Sequence, residues 1–401
     1  MAEGMTVRQP RTIARGLIAR WTAIGAAMLM SACSTVVPRG PITAPDRPVA
    51  PPPSVDTGID RGIPRDTQRN RVALLVPLSG TNAGIGRSIA NATILAVLDT
   101  KTEKVRITNY DTATGAEAAA RRAIAEGAQL ILGPLLSEDV RAVAPVAKAA
   151  GVPVIAFSND VGVAGNGVYL LGYAPTQSID RVVDFAGTRG ITTFAALVPN
   201  GLYGQRSSTA FLRAVEDAGG QVVSLQTYPA AGAAMTGAIA RLNAKAPYGA
   251  VLLAGGGATA AGAAPAIKRA SPGVHLLGTE LWNSETGIGK RTALEGAWFA
   301  SVPDALYRQF AVKYRGRFGT APYRLASLGY DSVLLTVRIG RDWPVGRGFP
   351  EQRLRDKDGF AGIDGAFRFG SDGVAERALE VQEIRGGTTV LVSPAPADFG
   401  R

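Results

Sequence analysis

Six times in this 401-residue chain, a short apolar run rich in Val, Ile, Leu and Ala is followed by a stretch with helical spacing. In the first half the pairs are "RVALLVPLS" with "SIANATILAVLDT", "KVRITNYDT" with "GAEAAARRAIAEG", and "AQLILGPLLS" with "EDVRAVAPVAKAAG", closed by "VPVIAFSND". Strands that alternate with helices at this spacing form a parallel sheet, because each helix carries the chain back to start the next strand in the same direction. The pattern restarts at "TTFAALVPN". It continues through the helix "GQRSSTAFLRAVEDAGG", the strand "QVVSLQTYP", a helix through Leu242, the strand "YGAVLLAGG", a helix to Ala270 and the strand "VHLLGTE". The expectation is an α/β chain of two doubly wound parallel-sheet lobes.

Ahead of this region the chain reads differently. Arg8, Arg11, Arg15 and Arg20 stand beside a single acid, Glu3, and precede the apolar run "WTAIGAAMLM" and small residues up to Cys33. That is the layout of a secretory signal, too short for an ordinary membrane span. The boundary "LMSAC" resembles the bacterial lipobox, which makes Cys33, the single cysteine of the chain, the expected lipid attachment point. Ser34 follows, with no Asp beside it, which by resemblance to other lipoproteins favours the outer membrane, facing the periplasm. From Ser34 to Arg69 the chain is proline-rich, with Pro51 to Pro53 in a row. It reads as a tether that could reach about 110 Å if fully extended. The expected organisation is therefore a signal over 1–32, a lipidated Cys33 with tether over 33–69, and a two-lobed domain over 70–401. Within that domain, lobe one is expected at about 70–180 plus 303–340, and lobe two at about 188–300 plus 345–401.

Open parallel sheets bind ligands beyond the carboxyl ends of their strands, where loops present side chains and helices present free amides. The polar residues at those ends are Ser79, Asn82, Asp111, Thr112, Ser137, Ser158, Asn159 and Asp160 in the first lobe. In the second they are Asn200, Tyr203, Gly255 to Gly257 and Glu280. Ser, Asn and Asp also favour helix caps and turns, so each has a structural reading beside the functional one.

Several chemistries are argued against. His275 is the only histidine and sits inside a strand, where local packing is the better reading than a catalytic base. One His and one Cys give no transition-metal cluster, and the acids do not follow a calcium-loop spacing. When the signal leaves, four arginines and one glutamate go with it, and the formal charge of +11 falls to +8. The basic residues are scattered without interleaved aromatics, so no nucleic-acid surface is expected. "GGGATA", Gly255 to Ala260, imitates a dinucleotide loop with Glu280 as ribose partner, but it lies on the third strand of the second lobe behind a secretion signal. "GIGKRT" imitates a phosphate loop but has Ser284 where the first Gly is required.

The blocks "RVALLVPLSGTNAGIGRSIANATILAV", "LILGPLLSEDVRAVAPVAKAAGVPVIAFSND" and "YRQFAVKYRGRFGTAPYRLASLGYDSVLL", with the tail "FAGIDGAFRFGSDGVAERALEVQEI", resemble in this order the periplasmic binding proteins of the leucine/isoleucine/valine type. More narrowly, the lipid anchor, the tether, "GVYLLGYAP" and "FAALVPNGLYG" resemble the penicillin-binding-protein activator lipoproteins. The resemblance implies a type I periplasmic-binding-protein fold, with lobes joined by three crossovers near Ala174 to Arg189, Phe299 to Asp304 and Ile339 to Gly348. It implies no cofactor and no catalysis. By the family pattern, hydroxyls and amides near Ser137, Ser158 and Asp160 would hold a ligand carboxylate, and Glu280 its ammonium. Ser79, Asp111, Asn159, Tyr203 and Gly256 would complete the cleft. Gly255 to Gly257 stand where an aromatic wall is usual, which suits either a larger ligand or a cleft that no longer binds. Two functions follow: activation of a bifunctional penicillin-binding protein by contact, or delivery of an amino-acid-like solute to an ABC transporter.

Overall fold

The computed structural model describes residues 68–229 and 234–396. The expected signal, Cys33 and all but the last two residues of the expected tether lie outside these residues.

The first lobe is built on a five-stranded parallel sheet. Its strands are β1 (Asn70–Val76), β2 (Val105–Asp111), β3 (Leu130–Leu132), β4 (Val154–Ala156) and β5 (Val168–Leu170), in the order β2-β1-β3-β4-β5. Helices α1 (Ala83–Thr100), α2 (Ala116–Ala125) and α3 (Ser137–Ala149) make the crossovers. Period-two alternation sends Val72, Leu74 and Val76 to one buried face, and Ala73 and Leu75 to the other. Both faces are covered, which is why β1 reads as an unbroken apolar run.

Helix α4 (Pro175–Thr188) starts the second lobe. Strands β6 (Thr193–Pro199), β7 (Gln221–Tyr228), β8 (Ala250–Leu253), β9 (His275–Gly278) and β10 (Trp298–Ser301) run parallel there, linked by α5 (Leu202–Asp217), α6 (Ala234–Asn243) and α7 (Gly257–Ala270). The chain then returns to the first lobe as α8 (Ala305–Phe318) and α9 (Ala326–Gly340), and α9 packs along α1. Next comes a small antiparallel sheet of β11 (Phe360–Gly362), β12 (Gly365–Phe369) and β13 (Ala375–Arg377). Finally β14 (Glu380–Arg385) and β15 (Thr388–Ser393) extend the second sheet antiparallel, giving the order β15-β14-β10-β9-β8-β6-β7. The strand–helix alternation and the two-lobed architecture are thus as the sequence implied.

Two of the expected passages between lobes move. Helix α4 belongs wholly to the second lobe, because Ile179, Val182, Val183 and Phe185 bury against Phe194 and Trp298, so the first passage falls at Tyr173 and Ala174, the start of the expected Ala174 to Arg189 stretch, and lobe one ends there instead of near residue 180. The third passage does not occur at Ile339 to Gly348. Trp343, Phe349, Leu354, Phe360, Phe367 and Phe369 all enter the first-lobe core, and Leu170 bridges Val374 in parallel. The chain leaves only after Arg377, so 345–377 belong with lobe one. Burial of six large side chains outweighs a simple sequence break.

Both lobes use the same device where the first strand meets its helix. A Cβ on Gly86 would lie 1.8 Å from the Pro77 carbonyl oxygen, and one on Gly204 would lie 1.6 Å from that of Pro199. Each helix starts directly over the strand end, and only a residue without a side chain allows this. Gly204→Ala is expected to cost roughly 3 kcal/mol through backbone displacement, read by urea unfolding. An unchanged midpoint would show that the approach can relax freely.

Candidate functional site

At the carboxyl end of the first sheet, the expected side chains are largely engaged with one another. The Asp111 carboxylate accepts from the Ser79 hydroxyl (2.6 Å), the Leu78 amide (2.8 Å) and the Ala113 amide (3.0 Å), fastening the β1 and β2 loops together. Burial opposes its charge, but these bonds win and hold the carboxyl below its ordinary value. Ser137 opens α3 and accepts from Arg141 at 3.2 Å, while Glu138 and Asp139 occupy the first turn, the electrostatically favoured place for acids. Buried Ser158 accepts from the Asp160 amide, and Asp160 accepts from the Gly162 amide at 3.0 Å, so both shape the turn after β4. Asn159 is exposed on that turn.

Asp160 does more than shape a turn. Its carboxylate, 6% exposed, is held by Arg141 of its own lobe and, at 2.6 Å, by Arg206 on α5 of the other. Arg206 lies directly over the backbone of Gly162, where a Cβ would fall 2.2 Å from Nη2. The carboxylate expected near a ligand is therefore half of an ion pair that clasps the lobes.

On the second lobe, Glu280 and Tyr203 do come together. Glu280 begins a short 3-10 turn after β9 and is buried. It accepts from the Ser178 hydroxyl (2.6 Å) and from Tyr203 (3.1 Å), whose hydroxyl also meets Thr279 at 3.0 Å. Burial, only partly offset by these bonds, pushes the Glu280 carboxyl up to about 7.

The glycine edge is not open. Glu285 Oε1 stands 2.8 Å from where a Gly256 Cβ would be, and Ile288 Cδ1 stands 2.1 Å from the corresponding position on Gly257. Trp282 Nε1 donates to the Gly255 carbonyl at 3.0 Å. The chain's own 280–290 loop fills the wall, and Glu285 brings negative charge to the helix start where a dinucleotide phosphate would have to lie. This agrees with setting the dinucleotide-like reading aside and corrects the enlarged-pocket reading of these glycines. His275 stacks on Trp298 with ring centroids 4.2 Å apart. Among the described residues, no group of three or more His, Cys, Asp or Glu could hold a metal ion, and no helix is long and apolar enough to cross a membrane.

The residues that sequence reasoning missed lie at the passages between lobes. A cavity of about 20 Å³, room for one water-sized molecule, is lined by Tyr173 at the first passage, Val302 at the second, and Arg377 and Leu379 at the third, together with Glu280 and Arg324. Arg324, 7% exposed, donates to Asp364 at 2.7 Å and lies 4.0 Å over the Tyr307 ring. Tyr173 also donates to Asp364. Its hydroxyl is pushed well up by burial and by the Asp364 charge. Arg377, 8% exposed, donates to the Leu171 carbonyl at 2.5 Å and stacks over Tyr173. Arginines within otherwise apolar runs, as in "APYRLASLGYD", were the signal available in the sequence.

A family model described as periplasmic binding protein matches residues 70–388. An uncharacterized protein of Rickettsia prowazekii is 27% identical over 146 residues, covering 36% of this chain and 39% of the relative. Among solved structures, a leucine binding protein of Thermotoga maritima superposes with a TM-score of 0.63 at 20% identity, over 82% of this chain and 99% of the other. A solute binding protein of an ABC transporter from R. palustris, in complex with benzoate, gives 0.61 at 19% identity over 82% and 98%. At these identities the structures establish the shared fold.

Two outcomes follow from the geometry. In the unfolded chain Glu280 ionises near its ordinary 4.5 and in the folded chain near 7. Between those values the unfolded state releases a proton that the native state keeps, so this group's contribution to stability is lost as pH rises through the window. Glu280→Gln is expected to match the parent protein near about pH 4 and to exceed its stability by up to roughly 3 kcal/mol near about pH 8. Parallel stability–pH curves from urea unfolding would show that Glu280 is not held neutral. Arg206→Ala is expected to raise the radius of gyration in small-angle scattering at unchanged circular dichroism, whereas superimposable scattering curves would remove the clasp.

Proposed function

Because this chain belongs to the family of periplasmic binding proteins, we propose that it is a non-catalytic receptor that takes up a small organic solute between its two lobes. The observation that carries this reading is the polar lining of the cavity at the hinge, which in this lobe arrangement has room for one water and would have to widen as the lobes move to take a solute. The cavity is lined from all three passages and carries buried polar groups of both charge types, Arg324 and Arg377 against Glu280. A desolvated polar pocket that changes shape when the lobes move is what couples ligand binding to closure. The leucine binding protein and the benzoate complex among its structural relatives support a small carboxylic acid as the class of solute. A receptor of this kind would serve an ABC transporter as partner.

One observation favours a second reading, activation of a peptidoglycan synthase by contact. Ser79, Asp111, Ser158 and Asp160 are spent on bonds within the protein, and Asp160 joins the lobes without any ligand. A clasped body on a lipidated Cys33 and a long tether at the outer membrane suits docking. Calorimetric titration of the full-length protein with single amino acids and aromatic carboxylates is expected to give saturable binding at micromolar Kd. Absence of binding, together with faster glycan polymerisation when the protein is added to a bifunctional penicillin-binding protein, would decide for docking.

A further inference from the structure

The hydrogen bonding around the hinge cavity is incomplete, although Asp364 and Asp331 place negative charge near its arginines. Arg377 has one hydrogen-bond acceptor for its guanidinium, the Leu171 carbonyl, while its Nε and Nη1 are buried without a partner. Among the described residues no carboxylate lies within 4.0 Å of it. Arg324 directs Nη1 to Asp364 but leaves Nε and Nη2 without a hydrogen bond, and Nη2 has only a distant pairing with Asp304 at 3.7 Å. Both side chains are more than nine-tenths buried and line the same cavity. A buried guanidinium with open donors is costly, and a carboxylate is its best-matched partner because two parallel N–H groups meet two oxygens.

Across the cavity stands the opposite case. Glu280 has hydroxyl donors but no cation among the described residues, and it lines the same space. It suits a ligand group able to donate a hydrogen bond or to carry a positive charge. The polar edge around Ser137 and Ser158, by contrast, is already satisfied by Arg141 and by the Asp160 amide.

From this we infer that the solute is a small monocarboxylate with a hydrogen-bond donor or ammonium at its other end, held by its carboxylate on Arg377 and Arg324 at the hinge with the donor facing Glu280, and not by the Ser137–Ser158 edge. The assignment rests on the receptor reading above and adds to it the residues that hold the carboxylate and the orientation of the ligand. It also explains the link to closure: Arg324 and Arg377 come with the first lobe and Glu280 with the second, so a bridging ligand touches both.

The test uses the full-length protein and two matched pairs of probes, L-leucine with L-leucinamide and benzoate with benzamide, followed by calorimetry. At least one carboxylate is expected to bind, with its amide roughly 100-fold weaker or undetectable. Arg377→Gln is expected to lose roughly 100-fold in affinity for that carboxylate and Arg377→Lys to recover part of it, while Ser137→Ala stays within about twofold. Equal binding of acid and amide overturns the carboxylate assignment, and it does so on the unmutated protein, whatever the folding of the variants. Loss in Ser137→Ala with none in Arg377→Gln places the carboxylate on the serine edge: the receptor reading survives and this inference fails. No binding of any probe at millimolar concentration overturns both.

Discussion

The pairing of Arg324 with Asp364 is the constraint on which the joint between the lobes depends. Asp364 is fully buried at the turn between β11 and β12, and Arg324 precedes α9, so the 2.7 Å bond ties the small antiparallel sheet to the helix that packs on α1. Tyr173, at the first passage, donates to the same carboxylate, and Asp304, at the second, faces the same guanidinium. Asp331 on α9 completes the cluster by accepting the Ile363 amide at 2.7 Å and the Asp364 amide at 3.3 Å. Burial and the nearby Asp364 charge push the Asp331 carboxyl up to about 7. Charges so deeply placed are weak contributors to stability, yet they are unforgiving of geometry, since losing one partner strands the other. They specify where three separate chain segments must meet.

Most of the fold was legible because it is periodic. The run of β1, the alternation of its two faces and the restart at Thr192 each follow from burial on a two-sided sheet. The third passage was not legible because residues 341–379 hold strands of three to five residues around turns, too short to show a period. Their aromatic side chains decide where they pack, and an aromatic residue does not say which lobe it will join. The first passage was drawn too long for a related reason: α4 is amphipathic on its own, and nothing within it says which sheet its apolar face will meet.

The site divides along the same line. Glu280 and Tyr203, singled out because they stand at strand and helix ends where topology alone puts ligands, do come into contact. Ser79 and Asp111 stand at equally suitable ends but satisfy each other, which depends on a loop geometry no spacing rule gives. Arg206 comes from a helix flank, and Arg377 from the end of a strand that leaves one lobe for the other. Long side chains act far from their own backbone positions, so their targets appear only in three dimensions.

The cleft therefore holds two electrostatic stations of different kinds. At its outer edge Asp160 meets Arg141 and Arg206, whose side chains are 51% and 27% exposed, so solvent screens the pair and its contribution to closure is on the order of 1 kcal/mol. At the hinge Arg377 and Glu280 are desolvated: Arg377 feels the buried Asp364 and Asp331 charges but keeps Nε and Nη1 without a hydrogen bond, and Glu280 has hydroxyl donors but no ion pair among the described residues. A clasp of that strength biases the lobes without locking them, because a ligand shifts such an equilibrium only by its differential affinity for the closed form. On the proposed receptor reading that differential is largest where buried donors lack partners, so a ligand would gain most from closure at the inner station, with the outer one a weak, solvent-screened bias.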